Sequence, residues 1–302
     1  ELRFILNSSA GETDLNDGPM RVNGILIQDR NDPNHVRNAR MFHYNGLLRH
    51  RLNDYLEHQV RLGFMDSDRR FVNGKDGVDV LFSDSQFDGN ISNVEYQTNL
   101  MLNEHFAIVS GLEHEREEFT QFVNERKDKV AQYRFGFFVE NRWSFLEDTL
   151  HLSVGGRLNH HERSHTNQTG EISGSYFFRP TKTRFKGHLG TGFRDPSLFE
   201  LFGRTLSSRG RLSIFGNPDL KPEKSLSWDL GVEQKLFKDT LTLGGTFFKT
   251  EYSKRIDFIG SGYKQVEGGY SQGAELEALW QPLESLKLSL SYTRTFAQSD
   301  GR

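Results

Sequence analysis

Cysteine is absent from all 302 residues. That removes any disulfide framework and fits a protein of the cell envelope. No apolar stretch approaches the roughly 20 residues that a membrane-spanning helix needs, and the mean hydropathy is −0.65. Low hydropathy excludes helical spans but not a membrane barrel, because half of each barrel strand faces a wet lumen and the loops are polar. Charge of one sign is also missing. The net charge of −3 leaves no basic footprint for nucleic acid. A leader peptide is not evident, since residues 1–10 read as a strand already under way. The expectation is a segment cut from a larger protein.

What the chain has in quantity is alternation. Leu226, Trp228, Leu230, Val232 and Leu236 fall on one side, and Ser227, Asp229, Gly231, Glu233 and Lys235 on the other. This is the period of a strand with one apolar face. The pattern resumes with Leu241, Leu243, Gly245 and Phe247, and again with Leu286, Leu288, Leu290 and Tyr292 opposite Lys287, Ser289, Ser291 and Thr293. Earlier, Tyr133, Phe135, Phe137, Val139 and Trp143 oppose Arg134, Gly136, Glu140 and Arg142. Soluble strands average roughly five or six residues, whereas a tilted strand crossing a bilayer takes about nine to eleven. These runs are of the longer kind. They predict an all-β fold, an antiparallel transmembrane β-barrel with its apolar face toward lipid, in about thirteen strands over residues 1–302. Open edges in a bilayer leave backbone groups unpaired, so the barrel is expected to be partial and the parent to contain more strands.

The connections sort by length. Turns near 52–54, 102–105, 145–149, 179–183, 237–240 and 281–285 are short, while 11–37, 70–89 and 195–224 are long and polar. Short turns at one end and long extracellular loops at the other is the plan of an outer-membrane barrel. Trp143, Phe145, Phe177, Phe178, Phe237 and Trp280 precede the short turns, where an interfacial aromatic girdle belongs. Lys249 and Arg294 on the apolar side are read as lying near strand ends, and His58 breaks the pattern without explanation.

Two constellations suggest chemistry. His161-Glu162-Arg163-Ser164-His165 matches the zinc-protease pattern, which needs its two histidines one helical turn apart. Here it ends a strand, and along an extended chain the histidines would stand roughly 13 Å apart, so no metal site is expected. Asp66, Asp68, Asp76, Asp79, Asp84 and Asp88 could supply oxygen ligands to a weakly held Ca²⁺ in a loop, without the spacing of an EF-hand. Glu113, Glu115 and Glu117 share a strand face and are read as lumen wall. No local nucleophile, histidine and carboxylate arrangement argues for an enzyme. A passive porin would explain the alternation.

Residues 192–203, running Gly-Phe-Arg-Asp-Pro-Ser-Leu-Phe-Glu-Leu-Phe-Gly, and 216–225, running Gly-Asn-Pro-Asp-Leu-Lys-Pro-Glu-Lys-Ser, resemble the barrel of TonB-dependent outer-membrane receptors. The residues that carry the resemblance are Phe193, Arg194, Pro196, Gly216, Asn217, Pro218, Leu220, Pro222 and Glu223. Gly155-Gly156-Arg157 and Gly273-Ala274-Glu275 are similar to two strand motifs of that family. Pro218 and Pro222 fix φ and deny ladder donors, so the loop stays rigid until a strand begins at Ser225. The resemblance implies a barrel of about 22 strands around an N-terminal plug absent from this segment. It also implies an outer-membrane location and energy delivered to the plug by the TonB-ExbB-ExbD complex. It further implies active uptake of a scarce nutrient, first a ferric siderophore, then cobalamin or haem. Haem receptors bracket a haem-ligating His between such motifs, and none lies between Ser197 and Gly216. That interval holds Arg204, Arg209 and Arg211 with Phe199, Phe202 and Phe215, a set suited to an anionic metal chelate through charge and stacking. No resident cofactor is implied.

Overall fold

The structure, a computed structural model, describes residues 1–17, 20–22, 25–27, 30–75, 83–123, 126–206 and 212–299. Strand β1 is Leu2–Asp17, and a small hairpin of β2 (Met20–Val22) and β3 (Ile25–Ile27) precedes β4 (Arg30–Arg51). Next come β5 (Leu56–Asn73), β6 (Ser83–Asn103), β7 (Phe106–Val123) and β8 (Arg126–Phe145). They are followed by β9 (Leu150–His161), β10 (His165–Phe178) and β11 (Thr183–Arg194). A short helix α1 (Leu198–Phe202) and the pair β12 (Arg204–Leu206) and β13 (Leu212–Ile214) interrupt the run. The chain ends with β14 (Glu223–Leu236), β15 (Leu241–Ile259), β16 (Gly262–Leu283) and β17 (Leu286–Ser299). Apart from the two small hairpins, all strands join one 13-stranded sheet in which each pairs with the next long strand along the chain. β1 and β17 form its two edges.

The burial pattern decides what the apolar face touches. Leu290 is 72% exposed, Leu230 63% and Leu276 58%, while Gln121, Gln132, Asn159 and His161 are buried. A water-soluble sandwich would show the reverse. Register carries one apolar band across neighbouring strands: Phe185 pairs with Val232, Leu230 with Phe247, and Leu276 with Tyr292. The opposite, inner face carries paired charges. Arg134 lies 2.9 Å from Glu115 and 3.5 Å from Glu113, and Arg157 also pairs with Glu113. Half-buried charges of this kind persist only when paired. The three glutamates therefore line the inner wall, as their spacing suggests.

The short turns fall where the sequence puts them, and two share one build. Leu146, Glu147 and Asp148, then Phe237, Lys238 and Asp239, all have positive φ. In each, the threonine that follows donates back to the first carbonyl: Thr149 Oγ1 to Leu146 at 2.7 Å and Thr240 Oγ1 to Phe237 at 2.9 Å. Phe145, Phe178, Phe237 and Trp280 are exposed beside these turns, as a girdle requires, whereas Phe177 faces inward under Arg184. His58 finds its place here too. It stacks on Tyr96 at 5.8 Å and its Nδ1 shares a 2.7 Å hydrogen bond with the Tyr96 hydroxyl.

The long loops need correction. Strands occupy much of 11–37 and 70–89, because β1 runs to Asp17, β4 starts at Arg30, β5 runs to Asn73 and β6 starts at Ser83. Ladder hydrogen bonds do not require an apolar face. Once the chain rises out of the bilayer both faces turn polar, and alternation vanishes while pairing continues. At the same end, β9 and β10 are joined by three residues and β15 and β16 by two, so much of the projecting length is strand. Likewise β14 begins at Glu223, two residues before Ser225. Lys249 and Arg294 lie within their strands rather than at the ends; Lys249 stands 5.4 Å over the Tyr270 ring and Arg294 4.7 Å over that of Phe296.

The expectation for His161 and His165 also fails in its geometry. They are not spread along an extended chain but face each other as register partners across the β9–β10 turn. His161 is buried, and its Nδ1 accepts from the amides of Arg163 at 3.2 Å and Ser164 at 3.1 Å. Its role is to cap the turn. Of the aspartates offered for Ca²⁺, Asp66, Asp68, Asp84 and Asp88 sit on β5 and β6, where Asp84 pairs with Arg70 and Asp68 with Arg40. Asp76 and Asp79 lie outside the described residues. Among the described residues no group of three or more His, Asp or Glu is placed to hold a metal ion.

Candidate functional site

About eleven residues counted from the short-turn ends span the bilayer, so residues 194–206 and 212–223 lie above it at the mouth. Here the chain leaves the sheet and returns to it. Ser197 caps α1, its hydroxyl accepting from the Glu200 amide at 3.2 Å while the Glu200 carboxylate accepts from the Ser197 amide at 2.8 Å. That reciprocal box is the signature of a helix start. The same Glu200 carboxylate takes a two-point fork from Arg194 at 2.9 and 3.0 Å, and Arg194 Nε donates to Glu223 at 2.7 Å. One guanidinium thus ties the end of β11, the helix and the start of β14 together. The two carboxylates hold its protonated form well above the ordinary arginine range.

The helix drops its apolar side onto the inner wall. Leu198 and Leu201 are buried with Phe87, Phe119 and Leu220. Phe199 is ringed by aromatics: Phe215 at 5.0 Å, Phe87 at 5.5 Å, Phe119 at 5.9 Å and Tyr263 at 6.3 Å between centroids. Edge and offset contacts of this sort each add about 0.5–1.5 kcal/mol beyond burial. Gln121, 1% exposed on β7, donates to the Phe202 carbonyl at 2.9 Å and accepts from the Arg204 amide at 3.1 Å. On the other side, Asn217 Nδ2 donates to the Tyr263 carbonyl at 3.2 Å, and Phe215 O accepts from the Tyr263 amide at 2.8 Å. The segment therefore braces β6–β8 against the β15–β16 hairpin.

Most of the motif residues gain a physical task. Gly216 donates to Gly203 O at 2.8 Å, and a Cβ on Gly216 would sit 2.5 Å from the Gly203 nitrogen. Two backbones meet there, so both positions require glycine. Pro196 is fully buried and Leu220 is 7% exposed. Asn217 Oδ1 accepts from the Asp219 amide at 3.0 Å, turning the chain between Pro218 and Pro222. Glu223 Oε1 accepts from the Ile256 amide at 2.6 Å. Gly273 lies elsewhere, under the Phe248 ring on the inner wall, with Glu275 two residues further along that face.

The side chains offered for ligand binding are already engaged where they are described. Arg204 pairs with Asp128 at 3.1 Å and is largely covered; Phe215 is 9% exposed inside the aromatic cluster; Phe202 lies under the Arg163 guanidinium at 5.0 Å. Arg209 and Arg211 lie outside the described residues. Arg69 and Arg37 belong to no motif that singles them out in the sequence. Arg69 pairs in register with Phe87, and Arg37 with Phe71, which places both cations on the inner face beside the aromatic cluster. Arg69 is exposed and makes no hydrogen bond or ion pair among the described residues. Arg37 donates to Thr13 Oγ1 at 3.2 Å. Polar strand extensions gave no alternation by which to assign their faces.

Residues 4–302 match the family described as TonB dependent receptor-like, beta-barrel. The chain belongs to that family. As a TonB-dependent receptor barrel it is an outer-membrane protein, and the family is one of transport receptors, not enzymes. The iron-regulated outer membrane virulence protein of Vibrio cholerae is 26% identical over 229 residues, covering 69% of this chain and 35% of that protein. The siderophore receptor PirA of Pseudomonas aeruginosa superposes with a TM-score of 0.60 at 19% identity, over 88% of this chain and 59% of PirA. The copper transporter OprC superposes with a TM-score of 0.69 at 16% identity, over 88% of this chain and 48% of OprC. The receptor barrel thus spans about a third of the length of its Vibrio relative.

Proposed function

We propose that this barrel forms the wall of a receptor that takes a ferric siderophore at its outer mouth and imports it with energy delivered through TonB. The observation that carries the reading is the inner mouth surface. Arg69, free of partners among the described residues, and Arg37 stand there beside the half-buried Phe71, whose ring meets the buried Phe87 edge to face at 5.9 Å. Guanidinium groups beside aromatic rings suit an anionic chelate, held by charge at its oxygens and by stacking on its ring faces. The iron-regulated relative supports iron as the cargo. Arg209 and Arg211 are proposed as further cations for the same ligand, while Arg204, neutralised by Asp128, contributes through the brace.

The test is binding of ferric chelates of different charge to the purified receptor, read by quenching of tryptophan fluorescence. Anionic chelates are expected to bind, with affinity falling about tenfold in Arg69→Ala, the loss of one charge-assisted contact. Binding indifferent to chelate charge and to Arg69→Ala would remove the proposal. Growth of a strain lacking the receptor, undiminished on every siderophore, would remove iron itself.

A further inference from the structure

Two of the chain's four methionines meet a histidine on the inner wall. His43 on β4 is the register partner of Met65 on β5, and Met41 lies two residues from His43 on the same strand, opposite Ser67. Directly opposed residues stand about 5 Å apart, residues i and i+2 about 7 Å, and the diagonal Met41 to Met65 about 7–8 Å. Three side chains on one face within that span can converge on a single point, given the three rotatable bonds of each methionine. The triad sits toward the outer end of the spanning segments, open to the mouth, and Met41 is 47% exposed although its face is otherwise largely polar.

The surroundings narrow what such a point would hold. The neighbours of the triad on the same face are Asn7 and Ser9 of β1, Ala39 and Asn45 of β4, Gly63 and Ser67 of β5 and Ile91 of β6. None is a carboxylate, so a hard divalent cation has no ligands there. Thioether and imidazole donors without counter-charge suit a soft monovalent ion. Asn45 Nδ2 donates to His43 Nε2 at 3.1 Å, which orients the imidazole and puts the neutral ring's proton on Nδ1, so the ring would ligate through Nε2 on releasing this hydrogen bond. We infer that Met41, His43 and Met65 form a binding site for Cu(I) on the inner wall of this barrel, independent of the iron-chelate reading. Binding is ligand exchange without redox change: Cu(I) arrives reduced and keeps its electrons.

The receptor carrying this chain, in detergent and under anaerobic reducing conditions, is titrated into the Cu(I) complex of the chromophoric chelator bicinchoninate. The wild type is expected to withdraw one Cu(I) per chain, with an excess of Zn²⁺ failing to compete. The double variant Met41→Leu/Met65→Leu keeps side-chain volume and should hold Cu(I) weaker by about tenfold or more, since loss even of an outer-shell partner costs that much. His43→Gln provides a second variant with the same expectation, and heat-modifiable gel migration reports that each barrel has folded. A wild type that leaves the chelator complex untouched, or variants that withdraw Cu(I) as well as the wild type, would overturn the site.

Discussion

Arg194 and Glu200 meet in a two-point fork, Nη1 to Oε2 at 2.9 Å and Nη2 to Oε1 at 3.0 Å. The fork links the last residue of a strand to the third residue of a five-residue helix that would have little stability alone. Lysine keeps the charge but cannot make the fork. Arg194→Lys should weaken docking of residues 195–222 by about 1 kcal/mol after allowance for its partial exposure. Limited proteolysis of that segment measures this, with rates rising severalfold.

The same junction gives a pH dependence. Burial pushes the Glu223 carboxyl up, but the Arg194 hydrogen bond, the Ile256 amide and the charges of Arg194 and Arg255 outweigh it, leaving its pKa below the ordinary 4.5. A carboxyl depressed in the folded state stabilises fully above its unfolded value, and that contribution disappears as pH falls through the lowered folded value. Protection of 195–222 against an acid-active protease should be flat from neutral pH down to about 4.5 and then fall. Glu223→Gln should remove the pH-dependent part.

Leu198 is wholly buried beneath the helix. Leu198→Ala should cost about 2–5 kcal/mol, the range for truncating a buried leucine. The loss belongs to the brace and not to the ladder. Hydrogen exchange is expected to quicken at 195–222 and at the β15–β16 tip, where Tyr263 and Gln265 receive the loop, while the strands at bilayer level keep their protection.

The turns 146–149 and 237–240 place three consecutive non-glycine residues at positive φ, held by a threonine hydroxyl. Thr240→Val should destabilise by about 1 kcal/mol. Lys238→Gly should stabilise by about 0.5–1 kcal/mol, relief of left-handed strain partly offset by the entropy of glycine. Urea unfolding from lipid bilayers distinguishes the two signs.

How legible was this in the sequence? At bilayer level, very. Leu226 to Val232 alternate because one side meets hydrocarbon and the other water, so period and face follow together, and thirteen strands and their short turns emerge. Above the bilayer that contrast is lost, and residues 11–17, 30–37, 70–73 and 83–89 extend strands that no pattern announces. The motif at 193–223 was visible as letters, but its tasks were not. That Glu200 closes a capping box and a fork at once, or that Gln121, 81 residues from Phe202, holds the loop through two hydrogen bonds, depends on which strands are neighbours. Period also hid the two histidines of 161–165, whose separation is set by a hairpin and not by extension.

The absence of cysteine from this chain makes the central claim directly measurable. Single cysteines placed one at a time from 225 to 233 on β14, in receptor reconstituted into bilayers, are probed with a membrane-impermeant thiol reagent and with a lipid-confined one. Positions 226, 228, 230 and 232 should react only with the lipid-confined reagent, and 225, 227, 229, 231 and 233 should not react with it at all. Two-residue periodicity of that phase is the expected result. Loss of periodicity, or the opposite phase, would contradict an apolar face turned toward lipid.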